Sequence, residues 1–268
     1  MKTVIIIPAR FASTRYPGKP LVQIGLPDGQ KKTLIELSWL AAKRVTDVHA
    51  VYVATDDIRI RDAALAFGAE VIMTGEGCAN GTERCADAVA RAGIDADLIV
   101  NLQGDAPLTP HWFVEDLIQA MESDPAADMA TPVLRLDRLT YGHFTQDRRE
   151  GRVGGTTAVF NKEKHALYFS KEVVPFMDID KWPVAEALPV YHHVGVYAYR
   201  PNALAKYMSW HESALERLEG LEQLRFLENG GTIKCVEVDG RGRVFWELNN
   251  PQDVARIEQV INQIVEDM

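Results

Sequence analysis

The sequence predicts an α/β fold, an open and mostly parallel Rossmann-like sheet with helices on both faces. Through the first half, short apolar runs of strand length alternate with segments whose apolar residues recur at helical spacing. Those runs are continuous, as in strands covered on both faces. A chain of 268 residues, 47% hydrophobic and 25% charged, can form one large domain with a full core.

Val4 to Ile7 reads as a central parallel strand. Thr33 to Ala42 follows with helical spacing, and Thr33 with Glu36 makes a capping-box pattern. Ala50 to Thr55 is a strand with Asp56-Asp57 at its carboxyl end, Ile58 to Phe67 a helix stopped by Gly68, and Glu70 to Met73 a strand. Asn80 to Arg84 opens a helix running from Cys85 to Ala92. Asp97 to Leu102 is the next strand, closed by Gln103-Gly104-Asp105-Ala106-Pro107. His111 to Met121 is a helix and Met129 to Leu134 a further strand.

The second half is less regular. The charged stretch Leu139 to Gly155, with glycines at 142, 151, 154 and 155, is expected to be a mobile loop. Thr156 to Phe160, Pro189 to Tyr199 and Thr232 to Val238 read as strands, with short apolar pieces at His165 to Phe169 and Val173 to Phe176. Leu215 to Glu228 is helical, and a last helix begins near Pro251. A single domain over 1–268 is expected, with a first half of about 1–134 and an inserted lobe of about 135–200.

Lys plus Arg is 29 and Asp plus Glu 38, a net charge of -9. Such a chain is a poor non-specific nucleic-acid binder, because that binding rests on cations neutralising phosphates. Cys78, Cys85 and Cys235 fit neither a zinc site nor a disulfide framework. No signal peptide is visible, and no apolar stretch nears the roughly 20 residues of a membrane helix, so a cytoplasmic location without membrane insertion is expected.

Against that acidic background, Arg10, Arg15 and Lys19 crowd the loop after the first strand. Ligands of open α/β sheets bind beyond the carboxyl ends of strands, where the usual anion is a phosphate chain; solvent is the competing partner. The loop is not a Walker P-loop, since Gly18-Lys19 is followed by Pro20. It also lacks the Gly-x-Gly-x-x-Gly dinucleotide fingerprint.

Other candidates have a structural reading beside the functional one. Asp105 is placed to hold Mg²⁺ together with substrate phosphates, or to close an Asx-turn. Asn80 to Arg84 offers helix-start N–H groups to a ligand, or Asn80 or Thr82 merely caps the helix. His192 and His193 point to opposite faces of a strand, so at most one can line a given pocket. Glu222 to Arg225 is either a site or a solvated helix face, and Asn249 or Asn250 serves equally as an N-cap.

Ile7 to Leu21, Ile-Pro-Ala-Arg-x-x-Ser-Thr-Arg-x-Pro-Gly-Lys-Pro-Leu, resembles the signature of the 3-deoxy-manno-octulosonate (Kdo) cytidylyltransferase family. Further matches follow in the family's order: Ala54 to Asp57, Met73-Thr74, Gly81 to Arg84, Val100 to Asp105, Ala166 to Ser170, His193 to Tyr197 and Leu221 to Arg225. The resemblance implies transfer of CMP from CTP to the anomeric 2-hydroxyl of Kdo or a close 2-keto-3-deoxy sugar acid, for lipopolysaccharide or capsule synthesis. Pyrophosphate leaves, Mg²⁺ is the cofactor and the protein is a homodimer, with nucleotide bound by the first half and acceptor binding and dimerisation carried by the lobe. It implies Arg10, Lys19 and Asp105 as catalytic residues. Pro8, Ala9, Arg10, Ser13, Arg15, Lys19, Thr55, Asp56, Gly81, Arg84 and Gln103 are implied around the nucleotide. Gln103, Lys171, His193, Tyr197, Glu222 and Gln223 are implied at the acceptor, and Asp105 with Asn249 at the metal.

Several positions depart from the family pattern. Ala106 replaces a glutamate, Lys171 an arginine, His192 an arginine, and Asn249 the aspartate that is the second metal ligand; Thr156-Thr157-Ala158 replaces a valine-lysine-valine segment. Asn249 still offers a carbonyl oxygen, and Glu247 lies two residues earlier on the same strand face. These departures keep two alternatives open: nucleotidyl transfer to a phosphonate or sugar phosphate, and non-catalytic CTP binding.

Overall fold

The computed structural model describes residues 1–12, 16–153, 155–242, 248 and 250–266. Ser13, Arg15, Glu247 and Asn249, named above as site candidates, lie outside the described residues.

Among the described residues, ten strands form one sheet. The first four are β1 (Thr3–Ala9), β4 (Ala50–Thr55), β5 (Glu70–Met73) and β6 (Leu98–Leu102), all parallel, in the spatial order β5-β4-β1-β6. A hairpin of β2 (Gln23–Gly25) and β3 (Lys31–Thr33) stands apart. Beyond β6 the sheet continues through β11 (Val196–Tyr199), β7 (Met129–Arg135), β10 (Tyr191–His193), β8 (Thr156–Phe160) and β9 (Ala166–Ser170), while β12 (Ile233–Glu237) also pairs with β7. β7, β8 and β12 run with the first four strands, and β9, β10 and β11 oppose them.

Residue alternation along β1 builds two cores. Ile5 and Ile7 enter one layer with Val53, Leu98 and Val100, packed by α1 (Leu34–Ala42), α2 (Ile58–Ala66) and α4 (His111–Ser123). Val4 and Ile6 enter the other with Ile99, Tyr197 and Tyr199, packed by α3 (Gly81–Ala92) and residues of α6 (Pro201–Ser209). A strand covered on both faces must be apolar throughout, which explains the unbroken run in β1.

The expected mobile loop is corrected: 138–149 form α5, a helix. Asp137 caps it by accepting the Thr140 N–H at 2.7 Å, and Tyr141 and Phe144, one turn apart, bury against Leu136, Leu188 and Val190. The expected single helix over 215–228 is two, α7 (Ala214–Glu219) and α8 (Leu224–Glu228), because Gly220 turns the chain at φ 63. The expected strand over 189–199 divides into β10 and β11, which flank β7 on different sides. The last helix, α9, spans Asp253–Glu266. Among the described residues no helix is long and apolar enough to cross a membrane.

Candidate active site

β1 pairs with β4 on one side and β6 on the other, so the loops leaving β1 and β6 flank a crevice where the chain's winding reverses. Their backbones meet. A Cβ on Gly104 would stand 2.8 Å from the Pro8 carbonyl oxygen, so only glycine lets the turn after β6 approach β1 this closely. Pro8 and Ala9 are the buried last residues of β1, and Arg10 emerges from it to donate to the Ala79 carbonyl at 3.3 Å, just before α3. Lys19 opens a short 3-10 turn and reaches across the crevice to Asp105, Nζ to Oδ2 2.5 Å. The Leu248 N–H donates to the Asp105 carbonyl at 3.0 Å, which places Leu248 at the same turn.

Thr55 ends β4, buried, and its hydroxyl accepts the Asp57 N–H at 3.2 Å. Asp56 pairs with the buried Arg84 at 2.9 Å, and Arg84 also donates to the Thr74 hydroxyl at 2.5 Å. Arg84 is therefore held rigidly by its own protein, with Asp56 neutralising it. Asn80 caps α3 by accepting the Glu83 N–H at 2.9 Å, which settles Asn80 over Thr82 as the cap and leaves Gly81 at the first helical position.

The second group lies on the same sheet face, around β10, β11 and the start of α8. Glu222 accepts the Thr82 N–H at 3.1 Å and the Gln103 amide at 3.5 Å, so it joins the start of α3 and the turn after β6 to the second half of the chain. Burial, opposed by the Thr82 N–H, holds its carboxyl above the usual range. The Tyr197 hydroxyl donates to Gln223 Oε1 at 3.2 Å.

His193 stands 2.9 Å from the Thr131 hydroxyl. That hydroxyl also donates to the Val194 and Val196 carbonyls, so toward the imidazole it accepts, and Nε2 of His193 carries the proton. Burial pushes the His193 pKa down to about 3. The ring is therefore neutral at physiological pH, a hydrogen-bonding group and not a counter-charge. His192 faces the other way and packs edge-on against Phe144 of α5, as strand alternation requires. Its departure from the family pattern therefore lies on the sheet face away from His193.

Lys171 follows β9, and its N–H is held by Glu219 at 2.9 Å. Its Nζ lies 2.8 Å from where a Cβ of Gly220 would be, two residues before Glu222. Glu222 to Arg225 is not a solvated face. Gln223 and Arg225 are buried, and Arg225 grips Glu216 at 2.6 and 2.7 Å and Glu83 at 3.1 Å. Among the described residues no three His, Cys, Asp or Glu gather as a metal site. Beside Lys19 the carboxylate of Asp105 would suit an ion held mainly by substrate phosphates.

Two buried groups that sequence reading did not single out line this face. Tyr199 shares a 2.7 Å hydrogen bond with Thr82, and the side chain of Asn101, fully buried on β6, has neither amide atom hydrogen-bonded among the described residues. In the sequence Asn101 is a polar residue inside an apolar strand run, within the Val100 to Asp105 match to the family.

The family model described as Cytidylyltransferase matches residues 4–234. A 3-deoxy-manno-octulosonate cytidylyltransferase of Maricaulis maris (strain MCS10) is 44% identical over 261 residues, 97% of each chain. One from Chlamydia pneumoniae is 38% identical over 257 residues, 96% of this chain and 92% of its own. A solved CMP:2-keto-3-deoxy-manno-octonic acid synthetase complexed with CTP matches with a TM-score of 0.81 at 33% identity, covering 100% of both chains. A cytidylyltransferase structure from Leptospira borgpetersenii matches at 16% identity with a TM-score of 0.59, a likeness of fold alone. With a crevice of this construction and relatives of this identity and coverage, the chain belongs to the cytidylyltransferase family, in its 3-deoxy-manno-octulosonate cytidylyltransferase branch.

Proposed function

We propose that this protein transfers CMP from CTP to the anomeric 2-hydroxyl of 3-deoxy-manno-octulosonate. The hydroxyl gives up its proton to solvent as its oxygen bonds to the α-phosphorus, the bond from that phosphorus to the α,β-bridging oxygen breaks, and pyrophosphate leaves with that electron pair. The observation that carries this reading is the Lys19–Asp105 pair spanning the crevice at the ends of β1 and β6, in a chain whose full-length structural relative holds CTP.

Such a transfer needs positioning and neutralised oxygen charge, not a protein nucleophile. Lys19 and Arg10, with Ser13 and Arg15, hold the triphosphate; Pro8 and Ala9 form the floor beneath it. Thr55, Asp56, Gly81, Arg84 and Gln103 shape the cytidine side. Gln103, Lys171, His193, Tyr197, Glu222 and Gln223 hold the acid sugar, and the positive charge for its carboxylate comes from Lys171, since His193 is neutral. Asp105 with Asn249 would hold Mg²⁺, which when bound draws charge from the phosphate oxygens. Residues of about 135–200 form the acceptor and dimerisation lobe; Phe176 and Val184, 94% and 85% exposed, support a homodimer. A cytoplasmic location follows from CTP as substrate.

The test is pyrophosphate release from CTP, Mg²⁺ and Kdo by the pure protein. No release with Kdo, amino-Kdo or a sialic-type acid would sink the proposal.

A further inference from the structure

Asp56 and Asp57 follow β4 side by side, and each takes a different arginine. Asp56 pairs with Arg84. Asp57 takes the fork of Arg59, Nε to Oδ1 at 2.9 Å and Nη2 to Oδ2 at 2.6 Å. The same carboxylate caps α2 by accepting the Arg59 N–H at 2.9 Å, and the Asp57 N–H is held by Thr55. A two-pronged pair of this kind fixes where the guanidinium sits. It sits over Phe11, its central carbon 3.3 Å from the ring centroid, at stacking distance. Phe11 is itself partly buried against the core layer that holds Ile5 and Ile7.

Phe11 in turn holds Gly18. Its carbonyl accepts the Gly18 N–H at 2.9 Å. A Cβ on Gly18 would stand 3.1 Å from two atoms of the Phe11 ring, and its φ of 72° is one that glycine adopts without strain. Arg10 directly precedes Phe11, and Lys19 directly follows Gly18. The contact between residues 11 and 18 therefore sets the backbone spacing of two cations proposed above for the triphosphate. The contact brings no net charge of its own, because Phe11 has none and Asp57 neutralises Arg59. With its side chain 55% exposed, Arg59 also adds little to the fold through that ion pair.

We propose that Phe11 and Arg59 are positioning residues for the nucleotide. Asp57 orients the guanidinium, the guanidinium braces the ring, and the ring holds Gly18 so that Arg10 and Lys19 stand preset for the triphosphate of CTP. This inference rests on the functional reading above and names what keeps its phosphate residues in place.

A displacement of about 1 Å at a preorganised site can cost on the order of a hundredfold in rate. Phe11→Leu and Arg59→Met are each expected to lower kcat/KM for CTP about tenfold or more. The KM for Kdo is expected to stay within about twofold, and the melting temperature within about 4 °C. The double variant is expected to fall within about twofold of Phe11→Leu, because Arg59 acts only through the ring. Losses that multiply in the double variant overturn the inference and mark Arg59 as a direct phosphate contact. An unchanged kcat/KM for CTP in either single variant overturns it whatever the melting temperature does, since a stack serving only the fold moves stability alone. A Kdo KM that rises in step with the CTP loss also overturns it, as the mark of general loosening. If Phe11→Leu does not fold, Arg59→Lys decides beside Arg59→Met: lysine keeps the charge and loses the fork and the plane. A Lys variant as impaired as the Met variant then supports the positioning role, and one at the wild-type constant overturns it. Wild-type protein inactive with every acid sugar brings down the functional proposal and this inference with it; active wild type with indifferent Phe11 and Arg59 variants brings down the positioning role only.

Discussion

Removing Lys19 separates chemistry from stability. Its ammonium meets Asp105 at 2.5 Å, with side-chain exposures of 15% and 27%. A pair this accessible is worth little to the fold, on the order of 1 kcal/mol. For a chain of this size that is a melting shift of about 2–4 °C. Facing the charge that develops on phosphate oxygens, the same ammonium is worth far more; one preorganised donor removed from such a site costs about 10²–10³ in turnover. Lys19→Ala is therefore expected to lower kcat at least a hundredfold while the melting temperature moves by only a few degrees. Initial rates of pyrophosphate release at saturating CTP and acceptor, with a thermal melt on the same preparation, measure both. Turnover within about threefold of wild type would overturn Lys19 as the phosphate residue. A drop of some tens of degrees would show that the pair holds the fold, and the rate loss would then say nothing about phosphate.

Three further outcomes follow from the geometry. Gly104→Ala puts a Cβ 2.8 Å from the Pro8 carbonyl, a backbone obstacle that side chains cannot relieve; a loss of about 1–3 kcal/mol in urea unfolding and a raised CTP KM are expected, and an unchanged CTP KM would detach the crevice from nucleotide binding. Arg225→Met strands Glu216, 6% exposed, without its partner. The expected loss is about 3–5 kcal/mol, mostly restored by adding Glu216→Leu, and a cost under 1 kcal/mol refutes the buried pair. For His193 the folded pKa of about 3 lies below an unfolded value of ~6.5, so the unfolded chain takes up the proton first. Its stabilisation is complete above pH 6.5 and falls as pH drops toward 3. The urea midpoint of wild type should decline more steeply from pH 7 to pH 5 than that of His193→Phe, and the Kdo KM should show no histidine titration between pH 6 and 8.

The parallel half was legible because its strands are buried on both faces and declare themselves as unbroken apolar runs. α5 was not, because Gly142 and a dense set of charges resemble a loop. The competing signals were the Asp137 cap and the Tyr141–Phe144 spacing, and burial against Val190 favoured the helix. β10 and β11 could not be separated in sequence, because what parts them is pairing with β7, a strand some sixty residues earlier. The candidate site divides along the same line. Arg10 and Lys19 sit close together in one loop and could be found by composition and position. Gln103 and Glu222 are 119 residues apart and meet only after folding. Asn101 falls inside the Val100 to Asp105 match, but that its amide has no hydrogen-bond partner among the described residues shows only in the fold.

That meeting of distant segments also determines how the two substrate sides depend on each other. Among the described residues, the start of α3 is anchored by the far half of the chain at four points, one of them the 2.7 Å hydrogen bond between Tyr199 and Thr82. Glu222 takes the Thr82 N–H, the Tyr207 hydroxyl accepts the Asn80 amide at 3.0 Å, and Arg225 reaches Glu83 at 3.1 Å while gripping Glu216. On the near side Arg10 reaches Ala79, one residue before the cap. α3 therefore carries Gly81 and Arg84, proposed above for the nucleotide, while held by the segment that carries Glu222 and Gln223, proposed for the acceptor. Within this arrangement Arg225 is a positioning residue. It is buried between two carboxylates, Glu216 and Glu83, the second of them in the first turn of α3. A variant that keeps the fold but loosens this anchor is expected to disturb the CTP and sugar constants together, whereas loss of Lys19 is expected to act on the phosphate side alone.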